Sequence, residues 1–322
     1  MKESKIVFLF CLFLVLSCTT KREKTDGGLD LSKEQGIDQY ITILGIAQDG
    51  GYPQINCDKA CCKLYYNKKE SKKLVSCLGL IDLKEKKKWL FDATPDMSEQ
   101  TQILKENHLD NGRVIDGVFL THAHIGHYTG LMYLGFEALG SNNIPVYAMP
   151  RLKNYLENNG PWSQLVTKNN IELKCLAKDS LITLNSSLRI LPIQVPHRDE
   201  YSETVGYKIF GKHKSALFIP DIDKWETWKL NIVDEVKKVD YAFLDASFFR
   251  DGELDRDMSK IPHPFTTQTT TLFENESLAT KHKIHFIHFN HTNPTIRDNH
   301  YLKDSIQNLG FRFAKEGDNF QL

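Results

Sequence analysis

Charge of one sign is what this sequence lacks. Its 322 residues carry 41 lysines and arginines against 41 aspartates and glutamates. A balanced chain offers no basic stripe to a nucleic-acid backbone, so no nucleic-acid partner is expected. Long apolar runs are scarce too. The run at residues 6–16 is shorter than the roughly 20 residues of a comfortable membrane crossing. No segment recurs at a solenoid period, which excludes a repeat architecture. Beyond Cys11 and Cys18 there are Cys57, Cys61, Cys62, Cys77 and Cys175. That odd number suggests no simple disulfide framework. What is present is an ordinary globular composition, 41% hydrophobic, over a length that permits one large or two small domains.

The N-terminus is set apart from the rest. Lys2 and Lys5 precede the apolar run at residues 6–16, and Ser17-Cys18 follows it. This is the layout of a signal peptide. A small residue and a cysteine after aliphatic residues resemble a bacterial lipobox, in which residues 1–17 are removed and Cys18 is lipidated. Residues 18–39 are polar and read as a flexible tether. Residues 40–322 read as the folded domain. The expected location is the bacterial cell envelope, outside the cytoplasm, on a membrane reached through the N-terminal lipid.

The densest chemical signal lies at residues 120–131. Three of the 12 histidines, His122, His124 and His127, fall within six positions, directly after the apolar run at 114–120. That run reads as a buried strand. A lone histidine at a strand end is usually an ordinary hydrogen-bonded residue, but clustered imidazoles on a fixed strand end suit a borderline cation such as zinc. Other strands end in the same way. The strand at 188–193 leads to His197, that at 215–219 to Asp221, and that at 284–289 to His288 and His291. The alternation of strands and helices indicates a layered α/β protein. Hairpins, such as 204–210 with 215–219, exclude a wholly parallel sheet. Helices are expected at 97–106, 130–139, 150–158, 225–238 and 266–281.

Cys57, Cys61 and Cys62 can converge on a structural zinc, although no fourth ligand is visible nearby and adjacent cysteines rarely face one ion. A disulfide to Cys77 and free thiols are the alternatives. Asp92, at another strand end, is either a carboxylate that orients a ligand histidine or a helix cap.

The strand-end residues in this order, with Asp92 upstream, resemble the motifs of the metallo-β-lactamase superfamily. Residues 47–54 with the following cysteines, 196–206 and 288–294 are similar to its coenzyme PQQ biosynthesis protein B branch. The resemblance implies an αββα four-layer sandwich with metals at one edge. It implies one metal on His122, His124 and His197, and a second on His127 and His288, with Asp221 bridging and counted as catalytic. One position departs: Gly126 stands where the pattern has aspartate. The second site is then one ligand short unless His263, His291 or water replaces it, so one tight and one weak site are expected. Zinc is the expected metal, with iron the alternative. The implied activity is hydrolysis of a small-molecule substrate by metal-activated water. His263 or His291 either passes a proton to the leaving group or is an ordinary polar residue. A metal-dependent oxidase or hydroxylase and a non-enzymatic ligand-binding lipoprotein are the competing readings. The N-terminal reading has a direct check. Mass spectrometry of the mature protein should find a lipidated Cys18 and no residues 1–17, whereas a retained Met1 contradicts it.

Overall fold

The structure is a computed structural model and describes residues 38–322. The signal peptide, Cys18 and nearly all of the tether expected from the sequence lie outside the described residues. Among the described residues, no helix is long and apolar enough to cross a membrane.

Two seven-stranded sheets form the centre. The first contains β1 (Gln39–Gly45), β2 (Cys77–Asp82), β3 (Lys87–Phe91), β4 (Gly117–Phe119), β5 (Ile144–Ala148) and β6 (Ile171–Cys175). The second contains β7 (Ile182–Thr183), β8 (Arg189–Gln194), β9 (Val205–Phe210), β10 (Ser215–Ile219), β11 (Tyr241–Asp245), β12 (Ile284–Ile287) and β13 (Arg312–Phe313). The last strand, β14 (Asn319–Gln321), returns to pair with β1. Each sheet is mixed. β1, β2 and β3 are antiparallel neighbours, whereas β3 to β6 run parallel. β7 to β10 are antiparallel, and β10 to β13 are parallel. With helices outside both sheets, this is the αββα sandwich.

Alternation along the strands produces the layers. Ile41, Ile43, Leu78 and Leu80 belong to the larger apolar core, together with Phe91 and Phe119. Their neighbours Tyr40, Leu44 and Ile81 join a second core with Leu104, Leu152 and Leu156 of the covering helices. The inner layer is rich in aromatics. Phe119 stacks on Tyr147 at 4.3 Å and on Phe91 at 5.1 Å, and meets the Tyr207 ring of the other sheet edge-on at 5.8 Å.

Three expected elements differ. The helix expected at 225–238 is a 3-10 turn, Trp225–Thr227, followed by a helix at Ile232–Lys237. Asn231 separates them, because its side chain accepts the Val233 and Asp234 amides as a cap. The helix expected at 266–281 is likewise two, Thr266–Leu272 and Leu278–Lys281, the second capped by Ser277. Residues 130–139 form a 3-10 turn over Thr129–Leu134 instead of a longer helix.

The sheets are tied together where their strands end. The Tyr207 hydroxyl donates to the Leu120 carbonyl, and the Val205 amide donates to the Thr121 carbonyl at 3.1 Å. Ala47, just after β1, bridges to Val75 and Phe289. Phe119 sits immediately below this seam, so Phe119→Ala should cost about 3–5 kcal/mol. Urea denaturation measures this, and a loss under about 1 kcal/mol would place the stabilising contacts elsewhere.

Candidate metal centre

The site residues leave the sheets at strand ends. His122, His124 and His127 follow β4, His197 follows β8, Asp221 follows β10 and His288 follows β12. Two of the turns that aim them need an unusual backbone. His288 has φ +66° and Asp92, directly after β3, has φ +71°. Such conformations cost about 1–3 kcal/mol for a residue with a side chain, and persist where surrounding contacts over-determine them.

Three groups of donor atoms converge at this edge, each with its atoms within 4.8 Å of one another; Asp221, Asp245 and His288 form one, and the other two carry the histidine cluster. Of these two, the first consists of His122, His124, His197 and Asp221. His122 Nε2 lies 2.9 Å from His124 Nδ1, and His197 Nε2 lies 3.3 Å from that same atom. Asp221 Oδ2 is 3.3 Å from His122 Nε2 and 3.2 Å from His197 Nε2. The second consists of His127, His288 and Asp49. His127 Nε2 lies 3.3 Å from Asp49 Oδ1 and 3.9 Å from Asp221 Oδ2. Asp221 thus stands between the groups.

The outer ring nitrogens explain why the lone pairs point inward. His127 Nδ1 is 2.7 Å from Asp92 Oδ2, and His197 Nδ1 is 3.0 Å from Asp223 Oδ1. His124 Nε2 lies 3.3 Å from Glu200 Oε2. For the other two imidazoles the partner is a hydroxyl. Thr121 gives its proton to Asp92, so its oxygen accepts from His122 Nδ1 at 3.0 Å. Ser247 gives its proton to Asp245 and accepts from His288 Nδ1 at 3.0 Å. Each imidazole is therefore oriented with its other ring nitrogen toward the centre, where a metal would take the place of any proton it carries.

A family model described as a beta-lactamase superfamily domain matches residues 87–289, more than half of the chain. The chain belongs to the beta-lactamase superfamily. Coenzyme PQQ synthesis protein B of Gluconobacter oxydans is 23% identical over 317 residues, covering 88% of this chain and 98% of that protein. Its Klebsiella pneumoniae counterpart is 26% identical over 307 residues, covering 86% and 96%. Among solved structures, Zn2+-bound PqqB from Methylobacterium extorquens superposes with a TM-score of 0.72 at 21% identity, covering 88% of this chain and all of that one. A diphosphatase from the PhnP family gives 0.60 at 23% identity, covering 88% and 97%. These structures share the fold.

A superfamily metal fits the donors of this chain. Asp49 Oδ1, His127 Nε2, Asp221 Oδ1 and His288 Nε2 are buried and make no hydrogen bond of good geometry; Asp49 Oδ1 has only an ion-pair contact to His127 Nε2 at 3.3 Å, and Asp221 Oδ1 only one to His263 Nδ1 at 3.1 Å. Such atoms are costly in folded proteins, and four of the ten found among the described residues lie together at this edge. Asp92, expected either to orient a ligand or to cap a helix, bonds His127 and the Thr121 amide, and no side chain caps the helix at Met97–Asn107.

The two histidines grouped as proton donors part company. His263 packs at the centre, with Nδ1 2.8 Å from Asp245 Oδ2 and 3.1 Å from Asp221 Oδ1. His291 does not join it. It stands with Cys57, Cys61 and Cys62, all four donor atoms within 4.8 Å. The proton-transfer role expected of His291 is therefore corrected, because the turn after β12 carries it to the thiols. This group contains the fourth donor that the local sequence lacked. Cys61 and Cys62 both take part, although adjacent cysteines were expected to diverge. They open a short helix, Ala60–Tyr66, and Cys57 Sγ lies 3.8 Å from Cys61 Sγ. The described cysteines are all free, and Cys77 lies apart with its thiol toward the Leu78 and Asp92 carbonyls. Three cysteines and one histidine match a closed structural zinc site.

Sequence reasoning missed Asp49, which sits in a Gly-rich loop that reads as a turn. The signal in the sequence was the missing carboxylate at Gly126. Burial pushes the Asp49 carboxyl up, but the His127 beside it draws it well below the ordinary range. Burial also raises Asp221, and the surrounding imidazoles, His197 foremost, hold it far below. Burial lowers His197, yet Asp221 and Asp223 lift it to about 9. His127 is raised well above the usual histidine value by Asp92 and Asp49 against the same burial cost.

These shifts have a measurable sign. In metal-free protein, the gain from the His197 ion pair is fully present below the ordinary histidine value of about 6.5. It is lost as pH rises through about 9. A metal must displace these protons, so binding at pH 7 should release them and affinity should fall as pH is lowered. Titration calorimetry in two buffers of different ionisation enthalpy checks this. Identical apparent enthalpies would contradict it.

Proposed function

We propose that this protein is a metal-dependent hydrolase. The observation that carries the reading is Asp221, buried between two sets of inward-facing imidazoles with His263 against it. His122, His124, His197 and Asp221 would hold one metal, and His127 and His288 would share Asp221 toward a second. When bound, such metals supply Lewis acidity, making water nucleophilic near neutral pH and polarising a carbonyl or phosphoryl oxygen.

The chain supplies the proton. Burial lowers His263, but the carboxylates of Asp245 and Asp221 overcome it and hold the ring well above the usual value. In the metal-free protein this favours the protonated imidazole that a general acid requires. Nδ1 is occupied by Asp245, leaving Nε2 as the atom that passes a proton to the leaving group. Asp245 also accepts the Ser247 and Ile222 amides, so the pair is fixed in place. Hydrolase names among the structural neighbours, such as the diphosphatase and human tRNase Z short form, support this reading. A second reading, oxygen chemistry on iron, rests on the donors themselves, since imidazole and carboxylate also suit that metal; the similar PqqB structure holds Zn2+. We further propose the envelope location and lipid anchor inferred from the N-terminal residues.

Elemental analysis followed by assay of the zinc- and iron-loaded protein on esters, lactones, β-lactams and phosphodiesters separates the readings. His122→Ala should lose metal and nearly all activity. His263→Gln should keep its metal and lose roughly 100- to 10,000-fold in kcat with little change in KM. Full activity in His263→Gln would remove it from proton transfer, and hydrolysis independent of metal would remove the function itself.

A further inference from the structure

The second metal group has a carboxylate that does not come from the histidine motif. A Cβ built on Gly126 would lie 2.3 Å from Asp49 Oδ1, 3.1 Å from its Cγ and 2.6 Å from its Cα. The space that a side chain at position 126 would occupy is filled by a side chain and backbone from the loop after β1. Asp49 Oδ1 is buried, makes no hydrogen bond of good geometry, and lies 3.3 Å from His127 Nε2 with the inward nitrogen of His288 beside it.

We propose that Asp49 is the oxygen ligand of the second metal, and that Gly126 is glycine because its missing side chain is what admits the Asp49 loop. The inference rests on the reading that His127 and His288 hold a metal. The second site is then complete, which overturns the expectation that it is a ligand short. Neither substitute histidine fills the place, since His263 is bonded to Asp245 and His291 stands with the cysteines.

The loop is held firmly enough for this role. The Gln48 amide donates to the Phe289 carbonyl at 2.8 Å, and Asn290 Nδ2 donates to Gln48 Oε1 at 2.7 Å. The Gly51 amide closes a turn on the Gln48 carbonyl at 2.7 Å. Asp49 is thereby fastened to the segment that carries His288, so the two donors keep a fixed spacing. A ligand at position 126 would depend on the His127 turn alone. Here Asp49, His127 and His288 come from three separate segments, and the carboxylate and His288 are tied to each other through Gln48.

The consequence for mutation is unusual. Gly126→Ala removes no donor atom, yet its methyl group collides with the Asp49 backbone and must push the loop away. Gly126→Asp brings a carboxylate at the cost of the same collision. Both variants should therefore lose the second metal, where a site merely lacking a ligand would ignore the first change and gain from the second.

The test is Co2+ titration of the metal-free protein, followed by absorption spectroscopy and metal analysis. Thiolate charge-transfer bands report the cysteine group separately from the imidazole sites. Wild type should show two imidazole-site equivalents besides the thiolate one. Asp49→Asn, which preserves shape, should weaken one of them by about tenfold or more and leave the other unchanged. Gly126→Ala should do the same. An Asp49→Asn protein with unaltered affinity at both sites, while His127→Ala loses one, would overturn the role of Asp49 alone. A wild type with one imidazole-site equivalent that His127→Ala leaves in place would overturn the second-metal reading beneath it. If Gly126→Ala does not fold, Asp49→Asn still decides.

Discussion

A carboxylate buried among imidazoles is the constraint on which this structure depends. Asp221 is 2% exposed at the end of β10, within 3.3 Å of nitrogens on His122, His197 and His263. A buried charge of this kind persists only when it is paired and bonded. The protein meets that condition by ending neighbouring strands from both sheets at one edge. Elsewhere the strands are filled with aromatic and branched residues, and polarity is confined to where they stop.

The same economy runs through the outer contacts. Thr121 and Ser247 each hold one carboxylate and one imidazole, passing a proton one way and accepting from the other. Asp92 and Asp245 are the matching anchors, one beneath each half of the centre. Both have no measurable exposure, so the hydrogen bonds that satisfy them are part of the fold as well as the site. The left-handed backbone at Asp92 and His288 belongs to this arrangement, held where the bonds to Thr121, His127 and Ser247 surround it.

The cysteine group and the histidine-bearing edge are joined through two short segments. Residues 47–62 contain Asp49 and all three thiols. Residues 288–291 contain His288 and His291. Gln48 and Asn290 bond across the gap between them. A metal held by the three cysteines and His291 at one end of this pair of segments would restrain the donors at the other end through backbone position, without a cysteine contributing an atom there.

The sequence alone determined what local geometry governs. His122, His124 and His127 were legible because a strand end fixes the direction of residues a few positions apart. His197, Asp221 and His288 were legible because each ends an apolar run, and a layered α/β protein with mixed sheets followed from hairpins among crossovers, whereas the four-layer sandwich came from the family resemblance. Helix breaks at Asn231 and Ser277 were present as capping residues but hidden within helix-like composition. Asp49 and His291 were not legible, because each belongs to a group whose other members are far away in the chain. Their roles depend on Ala47 lying beside Phe289, a pairing between the two sheets that no local pattern encodes. The empty side chain at Gly126 was visible, but only the folded chain shows which residue fills its space.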